Sequence, residues 1–185
     1  EFMQLNPEIE VELIFDDKEL DLSTRQADIG IFMRRPKKLN YIQRKLIDIN
    51  YHIYGSNKYL EKYGMPKTIN DLNKHKFISF GKGAPSPVYN PDWALKIGMK
   101  DNLKRKTIMK VNSVMGLLLA VESGVGLAAL PDYLVFQSAN LIKVLPKVEG
   151  PITEAHFVYP QSIKNVARVQ AFRNFLFSKI SEWKF

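Results

Sequence analysis

Cysteine is absent from this 185-residue chain. That excludes a disulfide framework and any thiolate metal site. Histidine is scarce. His52, His75 and His156 stand far apart in the sequence, and each reads as a surface or core histidine rather than a metal ligand. A membrane span needs roughly 20 apolar residues, and the longest strongly apolar run, residues 114–121, falls far short. Glu1-Phe2-Met3-Gln4 has neither the basic start nor the apolar run of an export signal, so the expected compartment is the cytoplasm. No serine sits in a nucleophile motif: Ser56, Ser79, Ser113 and Ser123 all lack a G-x-S-x-G setting. Gly124-Val125-Gly126 echoes a dinucleotide fingerprint, but it follows a helical pattern instead of a strand and fails the required context. Glycine and proline number only 10 each, which argues against disorder. These absences point away from an enzyme, a metal protein or a cofactor carrier.

What remains is ordinary globular chemistry with a basic surplus. Hydrophobic residues make up 45% and the net charge is +8, which permits acidic partners, nucleic acid among them. Residues 33–45 concentrate Arg34, Arg35, Lys37, Lys38, Arg44 and Lys45. No aromatic interleaving or glycine-rich loop accompanies them, and the run reads as a solvated face.

The stretch from Lys110 to Pro131 organises the chain. Residues 108–111 begin and end on β-branched, apolar Ile108 and Val111, the mark of a strand. Asn112 and Ser113 are residue types that cap helix starts. Val114, Leu117, Leu118 and Val121 recur at helical spacing. Ser123-Gly124 ends the helix, because glycine accepts the left-handed backbone that a helix end requires. Residues 126–130 are short and apolar, a buried strand closed by Pro131. A strand feeding a capped helix start is either a plain βαβ unit or a site for an anionic ligand.

Around this stretch, strand and helix patterns alternate. Residues 9–15 alternate apolar with acidic, a strand with one wet face. Residues 27–32 are almost purely apolar and read as a central strand. Residues 46–55 form a further strand that runs into a helix capped by Ser56. Residues 77–80 are a strand, and Trp93 and Leu95 fall in a two-stranded region. Residues 132–136 are helical, residues 141–145 and 156–160 are strands, and residues 166–183 form an amphipathic helix with Val169, Phe172, Phe175, Leu176 and Ile180 on one face. The alternation predicts a mainly parallel sheet with helices on both faces.

Several pieces, in this order, resemble the effector-binding domain of LysR-type transcriptional regulators. They are Phe2-Met3 with Asn6-Pro7-Glu8-Ile9-Glu10-Val11-Glu12-Leu13; Ala27-Asp28-Ile29-Gly30-Ile31 with Arg34; Tyr59-Leu60, Gly64-Met65-Pro66 and Asp71-Leu72; Val111-Asn112-Ser113 with Gly124-Val125-Gly126-Leu127-Ala128-Ala129-Leu130-Pro131; and Val158-Tyr159-Pro160 with Arg168-Val169-Gln170-Ala171-Phe172. Trp93 and the Val-Tyr-Pro strand lean toward the CrgA-like branch.

The resemblance implies an α/β fold like a type 2 periplasmic binding protein, with two Rossmann-like lobes and a small-molecule effector in a cleft between them. Lobe I would be residues 1–49 with 153–185, and lobe II residues 50–152. It further implies a homo-oligomer formed through the effector domain and DNA contact only through a helix-turn-helix domain that this chain lacks. The family's opening strand is also missing from lobe I. A strand from outside this numbering is expected to fill its place, with a neighbouring chain or direct pairing of residues 9–15 with 27–32 as the alternatives. A transport solute-binding protein of the same fold is the alternative function.

Carried over position by position, the resemblance implies a cleft lined by strand-end loops: Asp16 and Asp17; Phe32, Met33 and Arg34; Phe80 and Gly81; and Asn112, Ser113 and Val114. Arg34 is either a bidentate partner for an effector carboxylate or a surface arginine. Phe80 either stacks on the effector or belongs to the core. Asn112 and Ser113 combine cap chemistry with the family position, with capping alone as the simpler reading.

Overall fold

A computed structural model describes residues 1–15, 20–24, 26–37, 39–81, 90–100, 103–136 and 138–183. The chain divides into two compact units. One comprises Glu1–Asp48 with Glu154–Lys184, the other Ile49–Thr153.

The first unit is built on three strands, β1 (Gly30–Phe32), β2 (Tyr41–Ile49) and the last of the molecule, β8 (Thr153–Pro160), in the order β1-β8-β2. β8 is central, and its residues from Ala155 to Tyr159 are all buried. Its alternate side chains serve two cores. Val158 packs with Leu22 and Phe32 on one face. Phe157 and Tyr159 pack with Val169, Phe172, Leu176 and Phe177 on the other. Those four belong to the long helix α6 (Ala167–Glu182), and the short α1 (Phe2–Leu5) joins them through Phe2, whose ring meets Phe172 edge-on at 5.1 Å.

Two expectations fail here. Residues 27–32 are not a central strand. Only Gly30–Phe32 pairs, at the sheet edge and antiparallel to β8, and Ile31 is 47% exposed. Residues 9–15 form no strand, although their alternation suits one. Alternation sets which side faces inward, but a strand also needs a ladder partner. No described segment pairs with residues 9–15, direct pairing with β1 included, and Phe15 is 93% exposed.

The second unit holds β3 (Tyr51–Ser56), β4 (Phe77–Phe80), β5 (Thr107–Val111), β6 (Ala128–Pro131) and β7 (Leu141–Val144). β6-β3-β7 form one set and β4-β5 another. Leu127 joins the sets, pairing in parallel with Phe77 and exchanging hydrogen bonds of 2.8 Å with Ile78 and Lys76.

The sheet is mixed rather than mainly parallel. β3 runs antiparallel to both β6 and β7, and β4 runs parallel to β5. β2 and β3 are separated by Asn50 alone, and they lie in different sheets. Residues 46–55, read as one strand, are therefore the end of one and the start of another. Helix α4 (Val114–Glu122) covers one face, with Leu117, Leu118, Ala120 and Val121 buried against Tyr54, Ile78, Ala128 and Leu130. Leu60 of helix α2 (Asn57–Tyr63) lies near Leu127 on the other face, closing over Gly55. Trp93 and Leu95 lie in a one-turn helix, α3 (Trp93–Lys96), not in strands. Helix α5 (Asp132–Val135) follows β6 directly.

Gly124 adopts φ +78° just past the end of α4, and its N–H donates to the Val121 carbonyl at 2.9 Å. Only glycine takes that backbone at no steric cost. No described helix is long and apolar enough to cross a membrane.

Candidate functional site

The second unit gathers its candidate residues where two parallel strands end together. After a register shift between Phe77 and Ile78, β4 and β5 pair regularly to their last pair, Phe80 with Val111. The Gly81 N–H then donates to the Val111 carbonyl at 2.8 Å, extending the ladder by one bond. From there β5 turns into α4 through Asn112 and Ser113. Ser113 is the N-cap, in extended backbone (φ −136°, ψ 134°), and its Oγ accepts from the Gly116 N–H at 3.4 Å. Gly116 lets the first turn of α4 lie close on β5, because a Cβ there would stand 2.6 Å from Val111 Cγ1.

The arrangement has definite chemistry. The N–H groups of Val114 and Met115 have no acceptor within the helix, and the helix dipole adds partial positive charge at the same end. Asn112 is exposed, and its side chain makes no hydrogen bond among the described residues. A ligand carboxylate, carbonyl or hydroxyl placed here finds donors from both backbone and amide.

A small recess of about 30 Å³ opens beside these strand ends, lined by Ser79, Phe80, Trp93, Val114, Leu117 and Pro131 among others. It has room for about one water molecule. It shares Ser79 and Phe80 with a second, open pocket of about 570 Å³, bordered by Gly81 and by several cationic side chains. Phe80 is half-buried, packing on the α4 core while also lining both spaces.

Phe80, Gly81, Asn112, Ser113 and Val114 are therefore neighbours. The first unit's candidates are distributed differently. Phe32 is 9% exposed and packs with Leu22 and Val158, its ring folded over Gly30, so it is a core residue. Met33 is half-buried and Arg34 exposed, in the bend directly after β1. Asp16 and Asp17 lie outside the described residues.

A polar cluster escaped the sequence reading. His52 Nδ1 lies 2.8 and 3.0 Å from the two Asp132 carboxylate oxygens, Tyr54 Oη donates at 2.8 Å and Lys143 Nζ at 3.0 Å. Asp132 opens α5 and its side chain is 11% exposed. Burial acts to raise its pKa, but the hydrogen bonds from His52, Lys143 and Tyr54 outweigh it and hold the carboxyl below the usual carboxylate value. The Tyr54 hydroxyl is pushed well above its ordinary value, by burial first and then by the bond to Asp132. All four groups have partners, so the cluster reads as an internal tie between β3, β7 and α5. No group of three or more metal-ligating side chains occurs among the described residues.

Known proteins share this fold. The family described as "LysR substrate binding domain" matches residues 1–180. An uncharacterised HTH-type transcriptional regulator of Haemophilus influenzae is 29% identical over 163 residues, covering 86% of this chain and 55% of that protein. The HTH-type transcriptional regulator CrgA of Neisseria meningitidis serogroup C is 25% identical over 145 residues, covering 78% of this chain and 47% of that protein. The solved regulatory domain of CrgA from Neisseria meningitidis superposes with a TM-score of 0.83 at 23% identity, over 97% of this chain and 88% of that one. This chain spans about half the length of these curated relatives. The fold is the type 2 periplasmic-binding-protein-like fold of such regulatory domains.

Proposed function

The chain belongs to the LysR substrate-binding-domain family, and on that premise we propose that it is the effector-sensing part of a bacterial transcription regulator. A small molecule binds at the strand ends of the second unit. Ligand binding shifts the population of the domain between two states, by as much as its affinities for the two differ. Contacts to DNA belong to a helix-turn-helix segment outside these residues. The regulator works in the cytoplasm as a homo-oligomer, and this domain carries out no catalysis.

The observation that carries the reading is the joint end of β4 and β5 at the start of α4. There Gly81 bonds Val111 and Ser113 caps Gly116, and backbone donors stand beside the uncommitted amide of Asn112. Asn112, Ser113, Val114, Phe80 and Gly81 contact the effector. In the first unit the corresponding candidates are Met33 and Arg34, with Phe32 fixing the strand that precedes them. We take the two compact units as the two lobes of the effector domain. The regulator relatives favour this over a transport solute-binding protein of the same fold.

Native mass spectrometry of the purified chain against a bacterial metabolite extract tests the proposal. A retained small molecule, displaced in proportion by competitor, is the expected result. A chain that stays ligand-free through repeated extracts would remove the sensing role.

A further inference from the structure

The open pocket beside the strand ends carries positive charge that no carboxylate of the described structure fully answers. Ser79 and Lys110 are register partners across β4 and β5, so both side chains leave the sheet on one face. That face meets residues 104–106. Lys104 pairs with Asp92 at 3.1 Å. Lys106 and Lys110 line the pocket with no carboxylate in ion-pair reach among the described residues.

Arg105 is 7% exposed, and its guanidinium donates to carbonyls alone: Ile97 at 2.8 Å, and Ala94 and Ile69 at 3.2 Å. Those bonds fix the cation without neutralising it, and its buried Nε has no partner. Ser79 is 6% exposed and lines both the recess and the pocket, and its hydroxyl makes no hydrogen bond among the described residues. Its Oγ is not sealed from solvent, so it can donate to or accept from a ligand in the pocket.

We infer that the effector is a small organic anion whose carboxylate or phosphate oxygens lie between Lys106, Lys110 and the Ser79 hydroxyl, with its apolar part against Phe80 and Leu95. This rests on the sensing role proposed above and names its ligand class. At about 570 Å³ the pocket falls within the size range of small-molecule sites. Ammonium groups bind such oxygens through charge-assisted hydrogen bonds, about twice as strong as neutral ones.

The test is an amide-shift titration of the 15N-labelled chain, at constant ionic strength, with three probes: inorganic phosphate, phenylacetate and the neutral isostere phenylacetamide. At least one anion is expected to shift the amides of Ser79, Phe80, Gly81 and Lys110 while phenylacetamide does not. A response to phosphate alone indicates a phosphorylated effector, and one to phenylacetate alone a carboxylate. Lys106→Gln combined with Lys110→Gln is expected to weaken the responding anion roughly ten-fold or more, with an unchanged melting temperature because both side chains are exposed. An equal, measurable shift from acid and amide, no response to either anion, or full affinity in the double variant would overturn the inference. A neutral metabolite captured from extract, shifting only the amides of Asn112, Ser113 and Val114, would overturn it and leave the sensing role standing. A chain that captures no metabolite would instead remove the sensing role.

Discussion

The Gly81 N–H and the Val111 carbonyl stand 2.8 Å apart at the point where their strands stop. This bond holds Gly81, the residue after β4, against the turn that starts α4. The strand ends, the exposed Asn112 amide and the first N–H groups of the helix consequently form one surface. The following predictions concern that surface and the elements that support it.

Gly116→Ala should destabilise the domain by about 1–3 kcal/mol, the usual cost of overpacking. Its Cβ would meet Val111 Cγ1 at 2.6 Å, and a β-branched side chain has little freedom to turn away. Adding Val111→Ala should recover part of the loss. Denaturant melts of the two single variants and the double check this. Simple additivity would mean that the contact is not the cause.

Asp132→Asn should cost about 1–3 kcal/mol at neutral pH, because it removes the charged acceptor shared by Tyr54, His52 and the partly exposed Lys143. The pH dependence has a definite sign. The folded pKa of Asp132 lies below its unfolded value, so the stabilisation is fully present above the unfolded value of about 3.9. It is lost as pH falls through the folded pKa. Melts of wild type and variant should therefore converge in acid. A constant gap down to strongly acidic pH would show that the charge is not what stabilises.

Much of the second unit was legible in the sequence. The Ser113 cap, the helical spacing from Val114 to Val121 and Gly124 are local signals, and α4 obeys all three. The Asp132 cluster was not legible because its partners are distant, 80 residues away for His52 and 78 for Tyr54. Only the register of β3 with β6 and β7 brings them together. A weak trace existed, since His52 and Tyr54 are polar-tipped residues two apart on one strand face. α3 carries no periodic signal because one turn is too short to show one. Residues 9–15 alternate without forming a strand, because alternation reports sidedness and says nothing of a partner.

Self-association should run through Met115 and Leu119, one turn apart on α4 and 52% and 58% exposed. Their neighbours Leu117, Leu118, Ala120 and Val121 belong to the inner core. Met115→Lys with Leu119→Glu should give a monomer in sedimentation at concentrations where wild type associates, with stability within about 0.5 kcal/mol. An unchanged sedimentation profile would move the interface elsewhere.

Binding of this chain to DNA should be weak and should fade steeply with salt, since only its +8 charge drives it. Footprinting checks this, and salt-resistant protection of a single site would contradict it.

The most direct test joins Asn112→Ala with Ser113→Ala, measured by calorimetric titration of the captured effector and by denaturant melts. Losing the cap should cost about 1 kcal/mol of stability. Losing the ligand's hydrogen bonds should cost more affinity, about 1.5–3 kcal/mol where the ligand group is charged. Affinity falling by more than stability is the predicted result. Unchanged affinity with lowered stability would mean that these residues only cap the helix and that the effector binds elsewhere.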